Sequence, residues 1–486
     1  MKPSISGRRT APLFLVLVLA LLPVLQGCAV NPVTGQREFS LISESQEIQL
    51  GGDADRDITR SLGVVEDEVL QEYVSDIGLR MARQSERPNL PWTVRVLDDP
   101  IINAFALPGG YIYVTRGILA HFNSEAELAG VLGHEIGHVT AKHGVRQVSR
   151  AQITQLGLGV GTVLFPELEG LGQAAGVGLG LLFLSYGRDA EREADDLGLR
   201  YMTREGYDPE EMAATFNMLN QASGGDAGAI PSWLSTHPNP LERRDRIRDR
   251  IQAGEVSGDR VERERYLEHI DGLVWGTDPR QGYFREARFH HPELAFRMDM
   301  PSGWSTLNQR DAVRAVSSQE DALVTLTLSG ESSARGASDA FAAEQGVTAR
   351  SRRDVQIGGL QAVRLDFEAS TGQGSRLEGT AAFIEHDGRV YQILGYAVQA
   401  RWGERRSSVE SAVTSFQPER DPAVLAAQPR RIEIVRTDRE LTFEGFLSRY
   451  PSTVGSSTLS LLNRVEPGDV IPAGTLMKRV TGEAPP

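Results

Sequence analysis

The segment Asn123–Thr140, NSEAELAGVLGHEIGHVT, has the pattern of a helix that packs on one face. Asn123 or Ser124 is the expected N-cap, and with Ser124 in that position Glu127 completes a capping box, which marks a helix N-terminus. Apolar residues then recur at spacings of three and four through Leu128–Ile136, as on the buried stripe of an amphipathic helix. We therefore expect a helix that begins near Ser124 and buries part of its surface in a core.

The polar residues of this helix form the motif His134-Glu135-Ile136-Gly137-His138. Two histidines four positions apart project from one face and can bind a single zinc ion at ~2.0–2.1 Å. Glu135 lies about 100° around the helix from the first histidine, where it can reach a zinc-bound water. The motif predicts one zinc ion per chain, with Glu135 as the general base. The alternative is a surface helix with an incidental histidine pair, and the apolar stripe argues against it.

A third zinc ligand is expected from the charged segment Arg188–Asp195, because a catalytic zinc usually takes three protein ligands and leaves one position for water. Glu191 and Asp195 are four residues apart on a predicted helix, so both can face the site. One would bind the metal and the other would accept a hydrogen bond from a ligand histidine. Glu193 is expected to point away and to be solvated. The alternative is that the whole segment is an exposed charged helix.

The N-terminus has the features of an export signal. A positively charged start precedes the apolar run Ala11–Leu25, which is shorter than the ~20 residues that span a bilayer. Leu25–Cys28 resembles a bacterial lipobox, which predicts a signal peptide over residues 1–27 and a lipid on Cys28. Ala29 favours the outer membrane, by analogy with Gram-negative lipoproteins. The alternative is cleavage nearby and release of the protein without a lipid.

The cysteine count and the charge narrow the possible partners. Cys28 is the only cysteine, so the chain forms no intramolecular disulfide and no cysteine-based metal site. The formal net charge is −14, and the part after the signal peptide has no dense cluster of basic residues. Nucleic acid is therefore excluded as an expected partner.

The remaining patterns predict an α+β chain in five regions. A glycine-rich stretch, residues 157–186, is interrupted by two acids and a proline, so we expect buried helices or an interfacial hairpin there and no membrane span. The end of the chain weakly resembles a LysM-like peptidoglycan-binding module. The five regions are a signal peptide (1–27), a tether (28–42), a mainly helical zinc metalloprotease domain with a small β-hairpin or sheet (43–255), a β-rich α+β domain (281–417) and a small C-terminal module (431–480).

HEIGH, followed some fifty residues later by E-x-x-A-D at Glu191–Asp195, resembles the HtpX/BepA-type zinc metalloproteases, which are related to the CAAX prenyl proteases. The stretch NPVTGQREFSL at Asn31–Leu41 is similar to the tether of the periplasmic lipoprotein branch. The resemblance covers roughly residues 30–250 and implies a zincin-type fold. It also implies that Glu191 is the third zinc ligand and that Asp195 is the family's conserved acid.

Two further elements gain a role from this resemblance. The segment Asn103–Tyr111 is similar to the family's active-site hairpin, and its first strand could pair with an extended substrate through Asn103, Ala104 and Phe105. Alternatively, its apolar side chains only belong to the core. His237 lies in a His-Pro loop like one near the family's active site. It could be an inhibitory fourth zinc ligand, a donor to the oxyanion or a simple loop residue. We expect His143 to be a surface residue.

Together these patterns predict a zinc-dependent endopeptidase that cleaves misfolded or unassembled envelope proteins. The lipid anchor would hold it at the periplasmic face of the outer membrane. Outer-membrane assembly machinery and peptidoglycan are further expected partners, the first by family analogy alone. The alternatives are a non-enzymatic assembly factor or chaperone that keeps the protease fold, and a cell-wall-binding protein. The complete motif argues against the chaperone interpretation.

Overall fold

A computed structural model of the chain describes residues 28–39, 41–157, 186–223, 232–370 and 375–485. The signal peptide predicted for residues 1–27, and nearly all of the glycine-rich stretch 157–186, lie outside the described residues. Among the residues that are described, no helix is long and apolar enough to cross a bilayer.

The first half of the described chain surrounds a three-stranded sheet with helices. In the sheet order β3-β5-β4, β3 runs parallel to β5 and β4 runs antiparallel to it, so β4 is an edge strand. The elements are β1 Cys28–Val30, β2 Arg37–Phe39, α1 Glu44–Leu62, α2 Glu68–Ala82, β3 Thr93–Leu97, β4 Ala104–Leu107, β5 Tyr111–Thr115, α3 Arg116–His121, α4 Glu125–Thr140, α5 His143–Gly157, α6 Arg188–Arg204, α7 Pro209–Ser223, α8 Ser232–Thr236, α9 Pro240–Gln252 and α10 Arg263–His269.

The helix predicted for Asn123–Thr140 is α4. The Ser124 hydroxyl accepts a hydrogen bond from Glu127 N at 3.1 Å, so the predicted N-cap is confirmed. Every residue of α4 is buried. A Cβ added to Gly137 would lie 2.9 Å from the carbonyl oxygen of Ala194 on α6. The glycine, which costs ~1 kcal/mol of helix stability relative to alanine, therefore lets α4 and α6 pack closely.

The second half of the described chain is rich in strands, as predicted. An antiparallel seven-stranded sheet has the order β10-β11-β12-β16-β15-β14-β13, and a four-stranded sheet has the order β17-β9-β8-β7. The elements are β6 Val274–Trp275, β7 Tyr283–Arg285, β8 Arg288–His291, β9 Phe296–Asp299, β10 Ser305–Asn308, β11 Ala312–Val316, β12 Ala322–Ser329, α11 Ala334–Ala342, β13 Val347–Ile357, β14 Leu360–Ser370, β15 Arg376–His386, β16 Arg389–Val398, α12 Trp402–Val413, β17 Gln417–Pro418 and α13 Pro422–Leu425.

The last part of the chain packs against the beginning of α4. The side-chain amino group of Lys478 is fully buried and donates to the carbonyl oxygens of Ala120, at 2.9 Å, and Phe122. The Asn123 side-chain amide donates to Leu462 O at 3.0 Å. The elements here are β18 Arg430–Arg436, β19 Leu441–Thr442, α14 Phe443–Arg449, α15 Ser456–Asn463, β20 Val470–Ile471 and β21 Leu476–Thr481, with β18 paired to both β21 and β6.

We expect Lys478→Ala to lower the free energy of unfolding of the full chain by about 2–4 kcal/mol, because buried carbonyl groups lose their hydrogen-bond donor. Ile432 and Leu476 belong to the same hydrophobic cluster as α4, so unfolding should remain a single transition for the peptidase region and the C-terminal part. Urea denaturation followed by tryptophan fluorescence measures both quantities. Arg439→Ala, at an exposed position, is the control and should change stability by less than about 0.5 kcal/mol. Equal losses in the two variants would contradict the anchoring role of Lys478.

Candidate metal centre

Four buried side chains converge between α4 and α6. His134 and His138 come from α4, Glu191 comes from α6, and His237 follows α8 directly. One ligand atom from each lies within 4.8 Å of the others, and no member of the set is more than 2% exposed. The structure therefore brings together the three predicted zinc ligands and the loop histidine.

The distances in this cluster fit a zinc ion. His134 Nε2 lies 3.0 Å from His138 Nε2 and 3.6 Å from Glu191 Oε2, and His138 Nε2 lies 3.5 Å from Glu191 Oε1. Ligand atoms placed tetrahedrally at ~2.0–2.1 Å from one zinc ion are about 3.3 Å apart. Nitrogen and oxygen donors of this kind are also those that zinc prefers.

Asp195 fixes the orientation of His134. The Asp195 Oδ1 atom lies 3.0 Å from His134 Nδ1, so Nδ1–H donates to the carboxylate and Nε2 presents its lone pair to the cluster. The predicted acceptor is thus close to the ligand histidine. Lone pairs and carboxylate oxygens that converge in this way repel one another unless a cation lies between them. The donor set therefore fits a resident cation.

Arg243 is a member of the site that the sequence analysis missed. Its guanidinium group binds Asp195 through two bonds, Nε to Oδ2 at 2.9 Å and Nη2 to Oδ1 at 2.6 Å. Its Nη1 atom lies 2.9 Å from Glu191 Oε2. Arg243 and Ile247 are the buried residues of the otherwise charged helix α9. They are four residues apart, and this helical spacing is the sequence pattern that could have indicated that Arg243 faces the core.

Arg243 also keeps the two acids of the site ionised. Burial alone would raise the pKa of Asp195, but Arg243 reverses the shift and holds it well below the ordinary value. Burial opposes ionisation of Glu191 as well, and His237 and Arg243 together lower its pKa. Burial, helped by His134, lowers the pKa of His138 well below its ordinary value, so the ring is neutral, as a metal ligand must be.

Glu135 lies beside the ligand set and not within it. Trp233 Nε1 is 3.5 Å from Glu135 Oε1, and His237 Nε2 is 3.7 Å from the same oxygen. The Trp233 ring stacks on the His237 ring, with centroids 4.6 Å apart. Sequence reasoning gave no role to Trp233, because a single tryptophan in a short helix has no periodic pattern that would assign it one.

Two interpretations of the sequence near the site are wrong. His143 is buried and not on the surface, and its Nδ1 atom lies 2.8 Å from His138 Nδ1. Glu193 is not simply solvated, because its Oε2 atom lies 3.0 Å from His143 Nε2. After α4 the chain reverses at Lys142, which has a φ of 56°, and this turn brings His143 back against His138. Periodicity alone did not indicate the turn.

The predicted hairpin is formed by β4 and β5, with β4 at the free edge of the sheet. Ala104 and Phe105 lie in β4, and Asn103 precedes it, with its carbonyl oxygen accepting from Thr115 N at 3.0 Å. Ala106 of β4 lines a small cavity together with His138. The edge strand therefore approaches the metal centre. Cys28 begins β1, the first described strand.

Comparison with known proteins agrees with this geometry. Residues 68–251 match the profile of Peptidase family M48. The mitochondrial metalloendopeptidase OMA1 of Schizosaccharomyces pombe is 30% identical over 235 residues, which cover 46% of this chain and 67% of that protein. OMA1 of Arabidopsis thaliana is 35% identical over 181 residues, covering 37% of this chain and 36% of that protein. The beta-barrel assembly-enhancing protease of Escherichia coli (strain K12) is 30% identical over 224 residues, which cover 44% of this chain and 45% of that protein.

A buried HExxH motif on one helix, completed by a glutamate from a second helix, defines a zinc metallopeptidase domain. The chain belongs to peptidase family M48, and its resident metal is zinc. The predicted resemblance to the HtpX/BepA-type metalloproteases is thereby confirmed. The chain spans less than half the length of several of these relatives, including the Arabidopsis and Escherichia proteins.

Two solved structures are similar to part of the chain at low sequence identity. PsbP (CyanoP) of Synechocystis sp. PCC 6803 is 14% identical, with a TM-score of 0.23, and the match covers 27% of this chain and 91% of that chain. LpqN of Mycobacterium tuberculosis is 12% identical, with a TM-score of 0.22, and the match covers 26% of this chain and 83% of that chain.

Proposed function

We propose that this chain is a zinc-dependent endopeptidase in which His134, His138 and Glu191 hold the metal and Glu135 is the general base. The observation that supports this most strongly is the convergence of the three ligands with Glu135 buried beside them. Zinc, when bound, lowers the pKa of a water molecule towards ~7 and polarises the scissile carbonyl group.

The chain's own residues have three tasks in this reaction. Glu135 accepts the proton of the attacking water, and its carboxylate is held from one side by Trp233 at 3.5 Å. Asp195 keeps the His134 ring in the orientation that presents Nε2 to the metal. Burial of the whole site excludes bulk water, so these polar interactions are stronger than they would be at the surface.

His237 acts as a gate in this proposal. Its Nδ1 atom lies 3.3 Å from His134 Nε2 and 2.9 Å from Glu191 Oε1, a position that supports the fourth-ligand role over the oxyanion-donor role. The Tyr186 ring stacks on His138 with centroids 4.1 Å apart. A substrate would have to displace both rings to approach the ligands.

The substrate is proposed to pair with β4 as an added strand. Thr115 N donates to Asn103 O, so by antiparallel alternation the backbone of Phe105 faces β5 and that of the partly exposed Ala106 faces the unpaired edge. Main-chain pairing holds an extended peptide without demanding a particular side chain. Such a site is suited to a protease with many protein substrates.

We expect Ala106→Pro to lower kcat/KM for a peptide substrate about tenfold, because it removes one outward N–H donor worth about 1.4 kcal/mol in the bound complex. The β4–β5 pairing should survive, since a proline is tolerated where its nitrogen faces away from the neighbouring strand. Initial rates across a range of substrate concentrations measure the effect, and Ala106→Gly is the control that keeps the N–H. Equal rates in the proline and glycine variants would contradict strand pairing.

The cellular setting is proposed from the N-terminus and the relatives. A lipid on Cys28 would anchor the protein at the periplasmic face of the outer membrane. Several relatives are named beta-barrel assembly-enhancing protease, which supports misfolded or unassembled envelope proteins as substrates and the assembly machinery as a partner. Peptidoglycan binding by residues 431–480 stays a prediction, which co-sedimentation of the full chain with purified peptidoglycan tests.

Substrate trapping tests the proposed function in cells. The Glu135→Gln variant should retain its substrates, because it keeps the metal site and lacks the base. Identification of the proteins that co-purify should give exported proteins with β-rich membrane domains, and a His134→Ala/Glu135→Gln double variant is the control for binding that does not require zinc. Capture of cytoplasmic proteins alone would contradict the envelope role.

A further inference from the structure

We propose that His143 and Glu193 are positioning residues that hold the zinc ligand His138 through a relay of two hydrogen bonds. The inference rests on the ligand set of the proposed function and extends it to two residues outside that set. The relay runs from the His138 ring through the His143 ring to the Glu193 carboxylate.

The first hydrogen bond follows from which nitrogen of His138 faces the cluster. His138 Nε2 lies 3.0 Å from His134 Nε2 and 3.5 Å from Glu191 Oε1, so Nε2 is the ligand atom. A neutral ring that binds metal through Nε2 carries its proton on Nδ1. His138 Nδ1 lies 2.8 Å from His143 Nδ1, so the Nδ1–H of His138 donates to the His143 lone pair.

The second hydrogen bond follows from the first. Because His143 accepts at Nδ1, its proton lies on Nε2, which is 3.0 Å from Glu193 Oε2. Glu193 accepts this hydrogen bond, and Arg146 Nη2 lies 3.5 Å from the same oxygen. His143 is 3% exposed, so water competes little for its ring nitrogens. Each donor in the relay therefore meets one acceptor.

His134 donates directly to a carboxylate, and the relay connects His138 to a carboxylate through one intervening ring. Asp195 accepts from His134, and Glu193 accepts from His138 by way of His143. Both acids lie on α6, which also supplies Glu191. Helix α6 thus holds all three zinc ligands, one as a ligand itself and two through hydrogen bonds. Loss of such outer partners typically costs metal sites about 10–100-fold in affinity.

The test is the zinc dissociation constant of the full chain, measured by competition with a chromophoric chelator. His143→Leu puts an apolar side chain of similar size in this position and removes the acceptor, so we expect zinc to bind about 10–100-fold more weakly. His143→Asn places a carbonyl oxygen where Nδ1 lies, so its affinity should stay close to that of the unsubstituted chain. If the asparagine variant loses as much affinity as the leucine variant, His143 only packs, and the proposal is overturned.

A double variant tests the order of the relay. Glu193→Ala alone should weaken zinc binding, but it should have no further effect in the His143→Leu background, because it acts through that ring. If the two substitutions weakened zinc binding independently, the loss of affinity in the double variant would be the product of the two single losses. That result would overturn the relay. Glu242→Ala, an exposed acid paired with Arg192, is the control for a lost surface charge. Unchanged affinity in His143→Leu would refute the relay alone, whereas unchanged affinity in Glu191→Ala would refute the proposed ligand set.

Discussion

Glu135→Gln is expected to lower kcat for peptide hydrolysis by about 10²–10⁴-fold, while the chain keeps its zinc. The amide has nearly the shape of the carboxylate, so the packing against Trp233 and His237 is preserved. What is lost is the group that accepts the proton of the attacking water. None of the three ligand atoms belongs to Glu135, so the metal content should not change.

Two measurements on the purified full chain decide this prediction. Cleavage of a fluorogenic peptide gives kcat, and elemental analysis gives zinc per chain. Glu242→Gln makes the same chemical change at an exposed acid and should leave both values unaltered. Residual cleavage at the unsubstituted rate would exclude Glu135 as the base, whereas a loss of zinc in step with activity would make it a structural residue of the metal site.

The parts of the site that local sequence patterns specify were predictable. Helix periodicity placed His134 and His138 on one face of α4, and the i, i+4 spacing placed Glu191 and Asp195 on one face of α6. Both relations hold within a single helix, so they do not depend on knowledge of the packing.

The residues that were missed depend on contacts between distant segments. Arg243 lies in a helix with several other arginines, and only its packing against Asp195 and Glu191 distinguishes it from them. Lys478 has the sequence character of a surface cation. It is buried because the backbone carbonyl groups of Ala120 and Phe122, more than 350 positions away, meet it there. Burial of a polar group depends on such partners, and local propensity carries no information about them.

Glu191→Ala is expected to reduce zinc affinity by more than the 10–100-fold that is typical when an outer partner of a metal ligand is lost, and to abolish cleavage. Glu191 is the carboxylate of the ligand set and lies within 3.6 Å of both ligand histidines. Without it, two neutral imidazoles and His237 would remain. The negative charge that balances the metal and Arg243 would then come from Asp195 and Glu135.

The comparison of Glu191→Ala with two other acids makes this prediction specific. Glu193→Ala should weaken zinc binding by the smaller amount expected of the relay, so that excess zinc restores its activity, and Glu242→Ala should have no effect. Chelator competition and zinc per chain after dialysis measure the three variants under one condition. If Glu193→Ala lost more zinc than Glu191→Ala, the third ligand would have to be reassigned to Glu193, and the interhelical packing of α4 against α6 would need a different rotation to allow it.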